Sequence, residues 1–127
     1  MNGSLLEYIN LIINLIIAFG ILNVWLIRFN KKTPYRGGNA KNLKEEFEVY
    51  GLPEWFLYSI GFLKIFLAIL LIIGIWHNQL NIYSAIIMSI LMIGAILMHF
   101  KVNDPLRKSL PAFSILILLI TIIFNNI

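Results

Sequence analysis

No cysteine occurs in the chain. Thiolate nucleophiles, disulfides, iron–sulfur ligation and Cys-ligated zinc are excluded together, and the redox compartment is left undefined. Charge is nearly as scarce: Asp, Glu, Lys and Arg make up 13% of the residues, against roughly 25% in a soluble domain. No Gly-x-x-x-x-Gly-Lys run is present, and the Gly37-Gly38 pair follows no strand-like segment, so a nucleotide-phosphate loop is not expected. Repeats and low-complexity tails are absent as well. The first apolar stretch lacks a basic lead-in and a small-residue cleavage pattern, so it is expected to be a retained helix rather than a secretory signal.

What is present is mostly apolar. Hydrophobic residues fill 60% of 127 positions, more than a soluble domain of this size can hide from water. The expected fold is an all-α membrane protein in which residues 1–127 form a single domain, a bundle of four transmembrane helices. The spans are predicted at about Leu5–Phe29, Glu54–Trp76, Leu80–Phe100 and Leu110–Ile127. Crossing a ~30 Å hydrocarbon core takes about 20 apolar residues as a helix. The fourth span is short and needs local thinning or little tilt.

The few cations are concentrated. Nine of the ten Lys and Arg residues lie in two segments, Arg28–Lys44 and Lys101–Lys108. Cytoplasmic loops carry such an excess. The expectation is an integral protein of a bacterial cytoplasmic (inner) membrane, with loops 30–53 and 101–108 in the cytoplasm and both termini outside. Trp25, Phe29, Trp55, Phe56 and Tyr58 at one end, and Trp76 and Tyr83 at the other, fit interfacial anchors. The formal net charge of +4 then reflects topology and anionic lipid headgroups, so the lipid bilayer is the expected partner and nucleic acid is not.

The first loop has a pattern of its own. Thr33-Pro34-Tyr35-Arg36-Gly37-Gly38 reads as a turn cluster. Asn39 is expected to cap a short interfacial helix in which Leu43, Phe47 and Tyr50 recur at helical spacing, with Lys41/Glu45 and Lys44/Glu48 paired on its polar side. Gly51 ends it and Pro53 begins the next helix. Its apolar stripe turns toward lipid or the bundle.

Lys64 is the sharpest candidate for chemistry. It lies about ten residues into the second span, close to mid-bilayer at ~1.5 Å per residue. A charged Lys there costs on the order of 2.5–3.5 kcal/mol, so it is expected to face the bundle, beside Gly61 and Ala68, with Asn14 as its polar partner. One reading is a proton-accepting or anion-binding Lys in a buried pocket. The other is a Lys tethered to Asn14 or to backbone carbonyls, or reaching a water-filled vestibule. His99, on the side of Ser84, Met88, Met92 and Ala95, reads as a ligand contact, a proton relay or an interface residue. Arg28, Tyr35 and Arg36, with the amides of Gly37-Gly38, form a candidate contact for a phosphate-bearing headgroup; positive-inside charge is the plainer alternative. Asn10, Asn14, Asn23, Ser84, Ser89, Ser114 and Thr121 suit interhelical hydrogen bonds. No metal site is expected.

Several motifs occur in a fixed order: Tyr50-Gly51-Leu52-Pro53, Gly61-Phe62-Leu63-Lys64, Gly74, Gly94-Ala95-Ile96-Leu97-Met98-His99, Asp104-Pro105 and Leu110-Pro111-Ala112. Over nearly the whole chain this series resembles the DoxX-like family of small four-helix membrane proteins. The resemblance implies the fold more than an activity. Some relatives look like membrane subunits of quinone-linked oxidation of sulfur compounds, others like accessory factors for maturation of membrane or exported proteins. Without cysteine, a thiol mechanism is not shared. Two readings result. The first is a non-catalytic membrane subunit or accessory factor, with no cofactor, packing with itself as a homo-oligomer or with another membrane protein through small-residue faces at Gly61, Ala68, Gly94 and Ala95. The second is a membrane-embedded redox component that binds a quinone or lipid near Lys64 and His99.

Overall fold

In lipid, a Leu/Ile-rich segment has no water to satisfy its backbone amides and carbonyls, so it satisfies them within itself as a helix. The computed structural model, which describes residues 5–127, follows that rule. Helix α1 (Leu5–Leu22) runs into a π-helical turn (Asn23–Ile27). A short α2 (Leu43–Val49) follows, then α3 (Glu54–Ile73), α4 (Asn78–Lys101), a 3-10 turn (Leu106–Ser109) and α5 (Leu110–Asn126). Four segments are long and apolar enough to cross a membrane: Leu5–Ile27, Glu54–Ile73, Asn78–Lys101 and Leu106–Asn126.

Both α1 and α4 pack against α3 and α5, so the four long helices close in the order α1–α3–α4–α5, with α1 and α4 on the diagonal. Ile17, Leu67, Leu71, Met88, Leu119 and Ile122 are fully or almost fully buried where they meet. One end of the bundle gathers the start of α1, the end of α5 and the α3–α4 turn: Asn125 Nδ2 donates to Asn10 Oδ1 (3.0 Å) and Asn78 Nδ2 to the Asn126 carbonyl (3.1 Å). Gly74 makes that turn tight, since a Cβ there would come within 2.8 Å of the Asn81 Cα. Both basic segments lie at the other end, called the loop end below.

The all-α membrane bundle expected from the sequence is therefore present, with adjusted boundaries. The first span ends at Ile27 rather than Phe29. The fourth gains the 3-10 turn and reaches 21 residues, enough to cross without special thinning.

The interfacial helix is capped by Asn42, not Asn39: Asn42 Oδ1 accepts from Glu45 N at 2.8 Å. Residues 37–40 close a turn first (Ala40 N to Gly37 O, 3.2 Å), and Leu43 N bonds back to Phe29 O at 3.0 Å. At its far end Gly51 takes φ +77°. Leu52 N then reaches Phe47 O and Gly51 N reaches Glu48 O, the paired bonds of a Schellman ending that glycine permits. The apolar stripe faces the bundle, where Leu43 and Phe47 are buried. Lys44 meets Glu54 at the start of α3 (3.9 Å) instead of Glu48.

Among the hydroxyls, Ser89 and Thr121 bond carbonyls four residues back in their own helices, so the interhelical role expected of them is not taken up. Asn10 does make such a bond, to Asn125.

Candidate functional site

At the loop end the bundle is hollow. A cavity of about 750 Å³ lies between α1, α3, α4 and α5, with a mostly apolar wall. Its shape begins with local backbone geometry. Arg28 N bonds Asn23 O (2.8 Å), an i to i+5 bond that widens the end of α1 and turns Trp25 inward, where it is buried. Gly61 receives the indole: a Cβ at that position would stand 2.8 Å from Trp25 Cε3. Phe47 meets Trp25 edge-on (5.9 Å between centroids) and Phe29 lies 6.3 Å away.

Lys64, three residues beyond Gly61, reaches over this ring with Nζ 5.3 Å from its centroid. Helical side chains lean toward the helix N-terminus, and the N-terminus of α3 is at the loop end. Lys64 therefore leans toward the loop end, into the cavity. The residue is 8% exposed. A cation–π contact is worth about 0.5–2 kcal/mol, less than the ~2.5–3.5 kcal/mol cost of an ammonium at a helix centre. No hydrogen bond or ion pair of Lys64 is present among the described residues.

Above the cavity the loop segments form a polar roof. Glu46 is held by Arg36 Nη1 (3.8 Å), the Gly37 amide (3.1 Å) and the Tyr50 hydroxyl (3.2 Å). Arg36 is itself buried and donates to the carbonyls of Arg28 and Lys31. Burial lowers its pKa, with Glu46 opposing. Burial raises the Tyr50 phenol, and the Glu46 carboxylate reinforces it, so Tyr50 remains a neutral donor.

A second carboxylate, Asp104, has a side chain only 4% exposed. Its Oδ2 lies 2.7 Å from His99 Nδ1, and its Oδ1 accepts from the Gly38 amide at 3.0 Å and faces Lys108 Nζ at 3.7 Å. Lys108 also donates to the Gly38 carbonyl (2.6 Å). Burial alone raises the Asp104 pKa, but the His99 ring, the Gly38 amide and Lys108 outweigh it and hold the carboxyl below its ordinary value. Tyr50 Oη lies 3.4 Å from the same His99 nitrogen, and Lys101 donates to the Tyr50 carbonyl. Loop, α2, α4 and the 3-10 turn are thus tied into one lattice.

Five of the six residues singled out from the sequence line this cavity: Arg28, Tyr35, Arg36, Lys64 and His99. Asn14 does not. It is buried at 1% exposure and donates to the Asn10 carbonyl at 2.9 Å. It sits eleven residues before Trp25 on α1, about 16 Å along the axis, while Lys64 leans the other way. The partnership expected between them is not formed. The amides of Gly37 and Gly38, read as an anion cradle, donate to Glu46 and Asp104 instead.

Glu46, Tyr50 and Asp104 were not singled out as site residues. Glu46 shares the Leu43 face of α2 at i+3, and Asp104 stands four residues before Lys108; those spacings were the available signals.

Comparison with known proteins adds one finding. The profile of the DoxX-like family matches residues 37–124, while no curated protein and no solved structure matches the chain. The matched stretch holds α2 to α5 and every residue of the polar roof from Gly37 onward. The chain belongs to the DoxX-like family.

Proposed function

We propose that this member of the DoxX-like family binds an amphipathic small molecule within the membrane, in the cavity between α1, α3, α4 and α5. The observation that supports this is the cavity: about 750 Å³, largely apolar, yet lined by Lys64 and His99. Small-molecule sites fall at roughly 300–1,000 Å³, with apolar walls and a few polar groups that set orientation. The exposed lining residues cluster in two places, Arg28, Pro34 and Tyr35 at the loop end and Ile90, Pro111 and Ser114 on α4 and α5. Access from the loop side and from the lipid side suits a molecule that partitions into a bilayer, as lipids and quinones do.

The reading as a packing subunit has less support. Gly61 is covered by Trp25 and Ala68 is fully buried within the chain, and Gly94 and Ala95 border the cavity. The small faces expected to meet a partner are thus engaged internally or occupied with the cavity. The proposal is for binding, without a catalytic step. It carries with it the orientation drawn from the basic residues: a bacterial cytoplasmic membrane, with loops 30–53 and 101–108 on the cytoplasmic side.

The test is native mass spectrometry of the protein released from gently solubilised membranes. A stoichiometric adduct of small-molecule mass is expected. A bare chain, or a second copurified protein with no adduct, would overturn the binding reading and favour the packing subunit.

A further inference from the structure

The charges around the cavity are balanced except in one place. Arg36 faces Glu46, and Lys108 faces Asp104. Arg28 is exposed at the mouth, where water solvates it. Lys64 alone is more than nine-tenths buried, lines the cavity, and has only the Trp25 ring beside its ammonium. A ring face accepts none of the three N–H donors as a carboxylate would. Glu46, the acid that shares the cavity wall, acts on Lys64 through space without touching it, and its oxygens are already engaged by Arg36, Gly37 and Tyr50.

We infer that the occupant carries a single anionic group on an apolar body, and that Lys64 pairs with that anion. This rests on the binding reading above and names the ligand class. In a low-dielectric pocket an unmatched ammonium favours an opposite charge over a neutral acceptor. One unmatched cation calls for one negative charge. The apolar body lies against Ile21, Val24, Ile60, Leu91 and Ile115. Gly94, where a Cβ would meet nothing within 4 Å, leaves room for it.

The anion can come from a free long-chain acid or from the headgroup of an anionic lipid. Lys64 lies ten residues from the start of α3, about 15 Å along the helix. A carboxylate on a single chain reaches that depth more readily than a headgroup held at the interface.

The test compares palmitate, hexadecanol, phosphatidylglycerol and phosphatidylcholine by titration of the purified full chain in detergent, read by native mass spectrometry. Palmitate is expected to bind at least about tenfold more tightly than hexadecanol. In Lys64→Met that preference should vanish while hexadecanol binding persists. Matching affinity for phosphatidylglycerol, but not phosphatidylcholine, would assign the anion to a lipid headgroup and keep the pairing. Equal binding of palmitate and hexadecanol by the wild type would overturn the inference and leave the binding reading intact. So would a preference that survives Lys64→Met. If no probe binds the folded wild type, this inference falls, and the adduct experiment above decides the binding reading separately. The wild-type comparison stands even where Lys64→Met folds poorly.

Discussion

The two halves of the bundle treat polar groups in opposite ways. At the loop end the carboxylates of Glu46 and Asp104, the amides of Gly37 and Gly38, the Tyr50 hydroxyl and the Lys108 ammonium all have partners, yet they enclose a hollow. The opposite half is filled by Ile17, Leu71, Met88 and Ile122, yet Asn10 Nδ2, Asn14 Oδ1, Asn81 Oδ1 and Ser84 Oγ have no partner among the described residues. At the loop end Ser109 Oγ shares that condition, and the Lys64 ammonium has only the Trp25 ring beside it. Apolar packing secures the far half and tolerates stray polar atoms. A polar lattice secures the loop half, because the cavity removes the packing that would otherwise hold it. Polar order is concentrated around the cavity.

The comparison can be broken most forcefully at Asp104. Asp104→Ala removes the shared acceptor of His99, Gly38 and Lys108. Taking one partner from a buried pair costs about 3–5 kcal/mol, so equilibrium unfolding in SDS should show a loss of roughly this size. Acid does the same gradually. The Asp104 carboxyl is held below its ordinary value, so its contribution is complete above the unfolded value of about 3.9. That contribution is lost as the pH falls through the lower folded value. A stability profile between neutral pH and pH ~3 should therefore decline at its acid end, and the decline should be absent in Asp104→Ala.

Gly61→Ala is expected next in size. The added methyl would stand 2.8 Å from the Trp25 ring, and overpacking costs typically about 1–3 kcal/mol. Trp25 fluorescence, measured with Trp55 and Trp76 replaced by Phe, should shift as the ring moves.

The far half should respond with the opposite sign. Asn14→Leu removes an unpartnered carbonyl oxygen and one bond to the Asn10 carbonyl. It should be neutral or stabilising by up to about 1 kcal/mol in the same SDS titration. A large loss there would erase the contrast between the halves.

Much of the fold was legible because lipid imposes it: segment length, charge clustering and the Gly51 and Pro53 boundaries are sequence-local. The errors arose where two local signals compete or where the chain returns to itself. Asn39 and Asn42 are both good caps, and the choice falls to Asn42 because residues 37–40 already form a turn. Lys64 reads as a buried cation from the sequence, and the lean of helical side chains toward the N-terminus of α3, also a sequence-local signal, carries it toward Trp25 and away from Asn14. The polar roof was the least legible part. Gly38 and Asp104 meet across 66 residues, and Tyr50 and His99 across 49, separations that no periodicity encodes. Gly94 is instructive in the same way: in sequence it is a small residue suited to packing, and in space it borders open volume.

Gly94 also offers the most direct test of the central claim, that this hollow exists to be occupied. Gly94→Leu should narrow the cavity that Gly94 lines, since a Cβ there meets nothing within 4 Å, and should leave SDS stability within about 1 kcal/mol of wild type. Native mass spectra of wild type and Gly94→Leu, purified side by side from membranes, should show a small-molecule adduct on the first and a markedly less occupied one on the second. An adduct of equal occupancy on both, with Gly94→Leu folded, would contradict the account.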